Sequence, residues 1–489
     1  TKRIYSYVGP EQEYFLVDKE KYLKRPDLIY SGRTLFGAPA PKGQEMDDQY
    51  FGAIPPRVKA FMEDIDAKLW KLGITAKTEH CEVAPGQFEI APIFSISNVA
   101  LDNNLLVMDI LKKTARQHGL ICLLHEKPFD GINGSGKHNN WSLTTDDGIN
   151  LFKPGKKPEN NSLFQLVLAC TMAAVDAHAV LLRLAASNTG NDHRLGANEA
   201  PPAIISMYLG DQVGDVVDQI IKNGEATSSL SSGEIDFGIK KLPKLEKDPT
   251  DRNRTSPFAF TGNRFEFRMV ASSNTIGDVN TVLNAMMAEQ FEKAVEVLSK
   301  ADDFETAVTE YTAKLMREHQ RIIFNGNGYS EEWPVEAEKR GLPNCKSIVD
   351  AIPALLDDTT IEMYGKFGIL SKAELAARKE ILFEQYAGVR NIEALTMVDM
   401  ANKLIIPATV KYTKELADTV LAVKEAGVDA TIQAEMLADA TAKLTEMKKA
   451  VKNLSEVTEK AANAGDAQAV AVAYKDEVME AMAELRKPA

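Results

Sequence analysis

Five glutamates, one histidine and a set of arginines stand on or beside segments that read as β-strands. Glu11 and Glu13 lie two apart in Val8–Asp18, where Tyr14, Phe15, Leu16 and Val17 favour a pleated, buried surface and Gly9-Pro10 marks the entry. On a strand that spacing points both carboxylates to one face. Like charges side by side repel, and carboxylates are rarely buried without partners, so such a pair at the mouth of a sheet invites divalent cations. Glu82 and Glu89 flank the Pro85-Gly86 break, which lets them converge although seven residues apart. His138 ends the glycine-rich stretch Phe129–His138, and Glu266 sits mid-strand between Arg264 and Arg268. Carboxylate oxygens with a single imidazole suit Mg²⁺ or Mn²⁺ better than Zn²⁺ or Cu²⁺. Beside them Arg194, Arg254, Arg264 and Arg268 offer guanidinium forks for carboxylate or phosphate. Acid-bound metals next to arginines suit phosphoryl transfer, where neutralising charge does most of the work.

Each residue taken alone has a plainer reading. Glu11 and Glu13 fit a solvated strand face, Glu82 a surface carboxylate, and His138 a satisfied loop histidine. Arg264-Glu266-Arg268 fits a cross-strand ion-pair ladder. Asn133-Gly134-Ser135-Gly136 reads as a turn, and the GxxxxGK[ST] spacing of a phosphate-binding loop is absent.

Recognisable elements would position these groups. Val58, Phe61, Met62, Ile65 and Leu69 recur at helical spacing in Pro56–Leu72, with Gly73 as the stop. Ile74–Ile93 reads as strand, turn, strand. Asn98–Gly119 reads as a helix with Leu101, Leu105, Met108 and Leu111 on one side. Short strands are expected over Leu120–Leu124 and Asn139–Leu143, one long helix over Ser162–Ala186, and a strand-like stretch over Ala203–Leu209. Arg264–Val270 alternates charged and apolar residues, which predicts a half-buried strand with a charged outer face. Residues 222–260 are poor in apolar side chains and read as an insertion or mobile loop. Ser371–Glu374 matches a capping box, and the remainder reads as helices broken near Gly427 and Gly465. There Leu437, Ala440, Leu444, Met447, Val451 and Leu454 form a coiled-coil-like seam, read as packing or assembly rather than chemistry.

The 489 residues are 44% hydrophobic and 26% charged, with a net charge of −13, which argues against a general polyanion binder. Cys81, Cys122, Cys170 and Cys345 are widely spaced and fit free thiols in a reducing cytoplasm. No apolar run reads as membrane-spanning. The chain opens on Thr1 and meets its first motif almost at once, so a segment before it is expected.

Taken together the blocks fall in a known order. Gly-Pro-Glu11-x-Glu13, Glu82-Val-Ala-Pro-Gly-Gln-x-Glu89, Asn133-Gly-Ser-Gly-Lys-His138, Asn253-Arg254-Thr-Ser and Arg264-x-Glu266-x-Arg268 resemble glutamine synthetase, most of all the large bacterial type III form. The resemblance implies an α+β fold, a curved antiparallel β-sheet backed by helices, with a catalytic region over 1–370 and a C-terminal all-helical extension over 371–489. It implies a first metal on Glu13, Glu82 and Glu89 and a second on Glu11, His138 and Glu266, each Mg²⁺ or Mn²⁺. Asn133 and Gly134 match the glutamate loop, and Arg194 the arginine on the substrate carboxylate. Glu199 matches the acid of the closing flap that takes a proton from ammonium. Arg254 and Arg268 match the arginines on the transferred phosphoryl group, while Arg264, Asn140 and Ser142 fall on the nucleotide side. The implied reaction joins L-glutamate and ammonium to L-glutamine with ATP, through γ-glutamyl phosphate, in a ring-shaped homo-oligomer, a dodecamer by resemblance. Nucleic acid and membrane are not expected partners.

The Arg194–Glu199 interval is one residue shorter than in the smaller forms, and Ala259 stands where the smaller bacterial form has an arginine. The family's N-terminal domain, which gives an aspartate to a neighbour's site, is not seen before Thr1. Competing readings are a related glutamate–amine ligase, a guanidino kinase of the same fold, and a non-catalytic scaffold, against which six intact metal ligands speak.

Overall fold

The computed structural model describes residues 3–198, 200–230 and 253–489, and between them only the paired strands Glu234–Ile235 and Leu245–Glu246. Glu199 and nearly half of the expected insertion therefore lie outside the described residues.

The chain forms two compact units. The first comprises Thr1–Val17, Gln44–Lys127 and Ile132–Leu375. It holds a nine-stranded sheet built from β1 (Ile4–Asp18), β2 (Ala76–Cys81), β3 (Gln87–Pro92), β4 (Ser95–Ile96), β5 (Leu120–Leu123), β6 (Gly136–Thr145), β7 (Met207–Tyr208), β8 (Phe258–Phe260) and β9 (Phe265–Ala271). The order is β2-β3-β1-β6-β9-β8-β7, with β4 and β5 also paired to β1. The sheet is mixed rather than purely antiparallel, because β7 and β8 run parallel. The helix Gly210–Asn223 and the segment after it separate these two strands, and a parallel pair needs a long crossover of that kind.

Strand β1 is longer than the sequence suggests and runs straight through Gly9-Pro10. On one side its neighbour is β4 at Tyr7 and Val8, then β3 from Gln12 to Phe15. Pro10, which has no N–H to donate, falls where that neighbour changes.

Helix α1 (Pro56–Lys71) buries all five residues named from its periodicity. They pack with Tyr14, Phe88 and Ile90 of the sheet and with α2 (Ser97–Gln117) in one apolar core. Emptying such a site, as in Phe61→Ala, removes about 3–5 kcal/mol. The buried stripe of α2 is rotated from the expected one: Val107, Met108 and Leu111 face the core, while Leu105 is exposed. The long helix expected over Ser162–Ala186 is two helices, α3 (Ser162–Ala177) and α4 (Ala179–Ala185), bent by 78° at His178. The His178 ring sits 3.1 Å from Glu289 Oε2, a polar anchor that apolar periodicity does not reveal. Among the described residues no single helix is long and apolar enough to cross a membrane, although this bent pair passes by length and composition. All four cysteines are free.

The second unit comprises Asp18–Gly43, Pro128–Gly131 and Ala376–Ala489. It holds α5 (Lys372–Met400) from Ala376 onward, then α6 (Ile406–Glu425) and α7 (Thr431–Ala462), followed by shorter helices to Arg486. The capping box at Ser371 forms, with Glu374 Oε2 2.7 Å from the Ser371 amide. Gly427 and Gly465, both at positive φ, mark the breaks between helices. One wide turn, Ala401–Ile405, precedes Pro407, whose missing N–H an ordinary α-helical ladder would leave unfilled. In α7 the seam is buried only in its second half, at Met447, Val451 and Leu454.

Candidate active site

The register of the sheet gathers the acids. Glu13 on β1 stands opposite Glu89 on β3, and Glu11 stands opposite His138 on β6. His138 therefore lies on a strand, not at a loop end, because β6 begins at Gly136. Glu266 of β9 pairs with Asn140 of β6, and His80 of β2 with Glu89. Strand β9 is buried at all seven positions, so its expected charged outer face does not meet solvent. Its pairing with β6 shifts register between Phe267 and Val270, at Arg268. A bulge there bends the strand and re-aims a side chain, and Arg268 Nη1 donates to Glu266 Oε1 at 2.8 Å.

Around His138 the distances are short. Its Nδ1 lies 3.0 Å from Glu11 Oε2 and 3.3 Å from Glu266 Oε1, and its Nε2 lies 3.7 Å from Glu13 Oε1. Burial and the Arg268 charge push the His138 pKa down, but hydrogen bonds to Glu11 and Glu266 and the Glu13 charge together raise it to about 10. Burial pushes Glu13 up to about 7. Burial, then the charges of Glu11, Glu82 and Glu13, holds Glu89 well above the ordinary carboxylate range. Burial acts the same way on Glu11, but the His138 hydrogen bond and charge leave it below that range.

These residues fit a divalent cation. His138 Nε2 is buried with no hydrogen-bond partner among the described residues. Glu11, Glu89 and His138 form one trio, and His80, Glu82 and Glu89 another, with ligand atoms in each within 4.8 Å of one another. Glu89 belongs to both. The expected grouping placed Glu89 with Glu13 and Glu82, and did not include His80. His80 Nε2 sits 2.9 Å from Glu82 Oε1 and 3.7 Å from Glu89 Oε1. Its sequence signal was the His80-x-Glu82 spacing, which on extended backbone turns both side chains to one side.

The other predicted residues fall into two groups. Asn140 donates to Glu11 Oε1 at 2.9 Å and accepts from Arg264 Nε at 3.0 Å. With Ser142, Tyr7 and Phe94 these residues line a cavity of about 650 Å³ beside Glu11. On the other side Gly136 N–H donates to Glu13 Oε2 at 2.6 Å. Asn133 is buried; its side-chain oxygen accepts from Gly134 N–H at 3.0 Å and its amide lies 3.3 Å from Gln87 Oε1. Arg194 is buried against this loop, donating to Asn191 Oδ1 at 3.3 Å and to the Arg268 carbonyl at 3.2 Å. A Cβ on Gly136 would lie 2.1 Å from Arg194 Nη2, so the guanidinium occupies the space that glycine leaves. Arg254 is exposed, on a turn tethered by Asn253 Nδ2 to the Gly326 carbonyl at 2.8 Å.

A glutamine synthetase of Butyrivibrio fibrisolvens is 45% identical to this chain over 496 residues, 99% of the chain and 69% of the relative. The chain belongs to the glutamine synthetase family. Family models for the glutamine synthetase catalytic domain and C-terminal domain match residues 2–206 and 307–424. A glutamine synthetase of Bacteroides fragilis is 41% identical over 97% of this chain and 67% of its own length. A type-3 glutamine synthetase of Dictyostelium discoideum is 48% identical over 86% of this chain. The chain spans only 57% of that relative's length. A looser likeness, at a TM-score of 0.49 and 15% identity, links 77% of this chain to 71% of the Plasmodium falciparum glutamine synthetase chain seen by cryo-EM.

Proposed function

We propose that this chain forms L-glutamine from L-glutamate and ammonia, with ATP as phosphoryl donor and γ-glutamyl phosphate as intermediate. The observation that carries the reading is the convergence of Glu11, Glu13, Glu89 and Glu266 on His138, whose buried Nε2 has no hydrogen-bond partner among the described residues. Glu13, Glu82 and Glu89 would hold one Mg²⁺ or Mn²⁺ and Glu11, His138 and Glu266 a second, with His80 beside the first. Bound there, the ions would neutralise phosphate charge during transfer.

The remaining roles belong to side chains. Arg264, Asn140 and Ser142 face the nucleotide from the cavity wall. Asn133 and Gly134 present the glutamate loop, and Arg194 takes the substrate carboxylate. Arg268, and Arg254 once its turn closes in, grip the transferred phosphoryl group. Glu199 takes the proton from ammonium. An unactivated carboxylate resists amines because oxide is a poor leaving group, and phosphorylation supplies a better one. Closure around the acyl phosphate keeps water from it. We further place the enzyme in the cytoplasm, which suits its free thiols, and in a ring-shaped homo-oligomer, a dodecamer by family resemblance.

Phosphate release from ATP with Mg²⁺, with and without glutamate and ammonium, tests the reading. Release that needs both substrates is expected. Release indifferent to glutamate, or dependent on a different amine, would overturn it.

A further inference from the structure

The face of β1 and β6 opposite the acids carries its own polar residues. Strand alternation sends Gln12 away from Glu11 and Glu13, and Lys137 away from His138. Both are fully buried. They meet at one turn just past β9, Ser272–Asn274. Lys137 Nζ donates to the Ser272 carbonyl at 2.5 Å and to the Asn274 carbonyl. Gln12 Nε2 donates to the Ser272 carbonyl at 3.1 Å, and Ser272 Oγ donates to the Glu13 carbonyl at 3.0 Å.

Glu126, also buried, grips the same turn from the other side. Its Oε1 accepts from the Ser273 amide at 2.9 Å, from Ser273 Oγ at 2.6 Å and from Asn188 Nδ2 at 2.9 Å. Asn188 in turn accepts from Asn191 N–H at 2.9 Å, and Asn191 Oδ1 holds Arg194. A Cβ at Gly190 would lie 2.2 Å from Glu126 Oε2, so the backbone has closed on the carboxylate. The contacts of this turn reach the acid cluster only through the Glu13 backbone carbonyl, not through its side chains. They join the strands and segments that carry it.

We propose that Lys137 and Glu126 are positioning residues acting through the Ser272–Asn274 turn. Lys137 fixes β9, and so Glu266 and Arg268, against β1 and β6. Glu126 fixes the Asn188–Arg194 segment, and so Arg194, against the Gly134–Gly136 loop. Buried partners one layer behind the ligands set their orientation, and their loss typically costs about 10–100-fold in affinity. A buried network of this kind specifies geometry only while every member is satisfied.

The inference rests on the function proposed above, and its test separates the two. Mn²⁺ and glutamate affinities of the whole chain are measured by calorimetry, glutamate in the presence of Mn²⁺ and a non-hydrolysable ATP analogue, with thermal melts of the same samples. Lys137→Met keeps the stem and removes the donor, and should weaken Mn²⁺ binding about tenfold or more. Glu126→Gln should weaken glutamate about tenfold while leaving Mn²⁺ within about threefold. A merely structural role would lower the melting temperature and leave both affinities of the folded molecules at wild-type values, which overturns the inference. If Lys137→Met does not fold, unchanged glutamate affinity in Glu126→Gln overturns it alone. Wild-type protein that binds no Mn²⁺ would sink the functional reading, and this one with it. Wild-type binding with indifferent variants would sink this one only.

Discussion

Two buried charge clusters, one in each unit, are built on opposite principles. In the helical unit Glu393 is held by two arginines: Arg33 Nε and Nη2 reach its two oxygens at 2.6 and 2.9 Å, and Arg390 Nη1 donates at 2.9 Å. Its carboxylate oxygens are matched by cations, and both Glu393 and Arg390 are 1% exposed. In the sheet unit five glutamates crowd two histidines and Arg268, and burial raises Glu13 and Glu89 above the ordinary carboxylate range. The first cluster has its counter-ions in the chain. The second has acid to spare, which is what separates a structural ion network from a site that waits for a ligand.

The sharpest way to break this comparison is Glu393→Ala. It leaves Arg33 and Arg390 facing each other without their anion, and breaking a buried pair this way costs about 3–5 kcal/mol. Urea unfolding followed by circular dichroism should show a loss of that size. Mn²⁺ affinity of the still-folded protein should not move. A loss under about 1 kcal/mol would mean that water has replaced the carboxylate and that the cluster is not closed.

The sequence carried most of the acid site and little of the arginine cluster. Glu11, Glu13, Glu82, Glu89, His138 and Glu266 stand in short blocks with strand spacing, so motif and period coincide. Which acids can share an ion depends on register across strands, which the spacing within one strand does not show: Glu89 lies within reach of both trios and His80 of one. The bulge at Arg268 and the burial of all of β9 are likewise tertiary, since an alternating charged strand reads as half-exposed until its cover is known. The Arg33–Glu393 pair joins residues 360 apart, and neither lies in a motif. The rotated stripe of α2 shows the same limit. Asn104 is buried there because Gln12 Oε1 lies 3.4 Å from its amide, so a polar residue occupies the core face and Leu105 is left out.

Asp27 gives a smaller test within the helical unit. Its side chain is buried and accepts from Arg25 at 2.7 and 3.0 Å, from the Leu35 amide at 2.8 Å and from the Leu28 amide at 3.0 Å. Burial acts to raise its pKa, but Arg25 and the two amides win and hold it below the ordinary aspartate value. A depressed carboxylate contributes stability above its unfolded pKa and loses it as pH falls through the folded value. Asp27→Asn should therefore cost about 1–3 kcal/mol at pH 7, since one acceptor is replaced by a donor facing donors. The gap between variant and wild type should narrow as pH drops below about 4. A gap that stays constant with pH would show that shape, not charge, matters at this position.

The last test has the opposite sign. Glu89→Gln keeps the shape of the side chain and removes a carboxyl whose ionisation burial and the neighbouring acids of the sheet unit disfavour. Without metal at pH 8 the variant should melt higher than wild type, because a carboxyl held above its unfolded pKa costs stability once the pH exceeds that unfolded value, and the amide does not. With saturating Mn²⁺ the order should reverse, because ligand binding stabilises only the protein that binds it. Thermal melts of both proteins with EDTA and then with Mn²⁺ read the crossing directly. Loss of stability in both conditions would mean that Glu89 already has its partners and is structural, like Glu393. The crossing would establish that these carboxylates are held together at a cost which the bound cation repays.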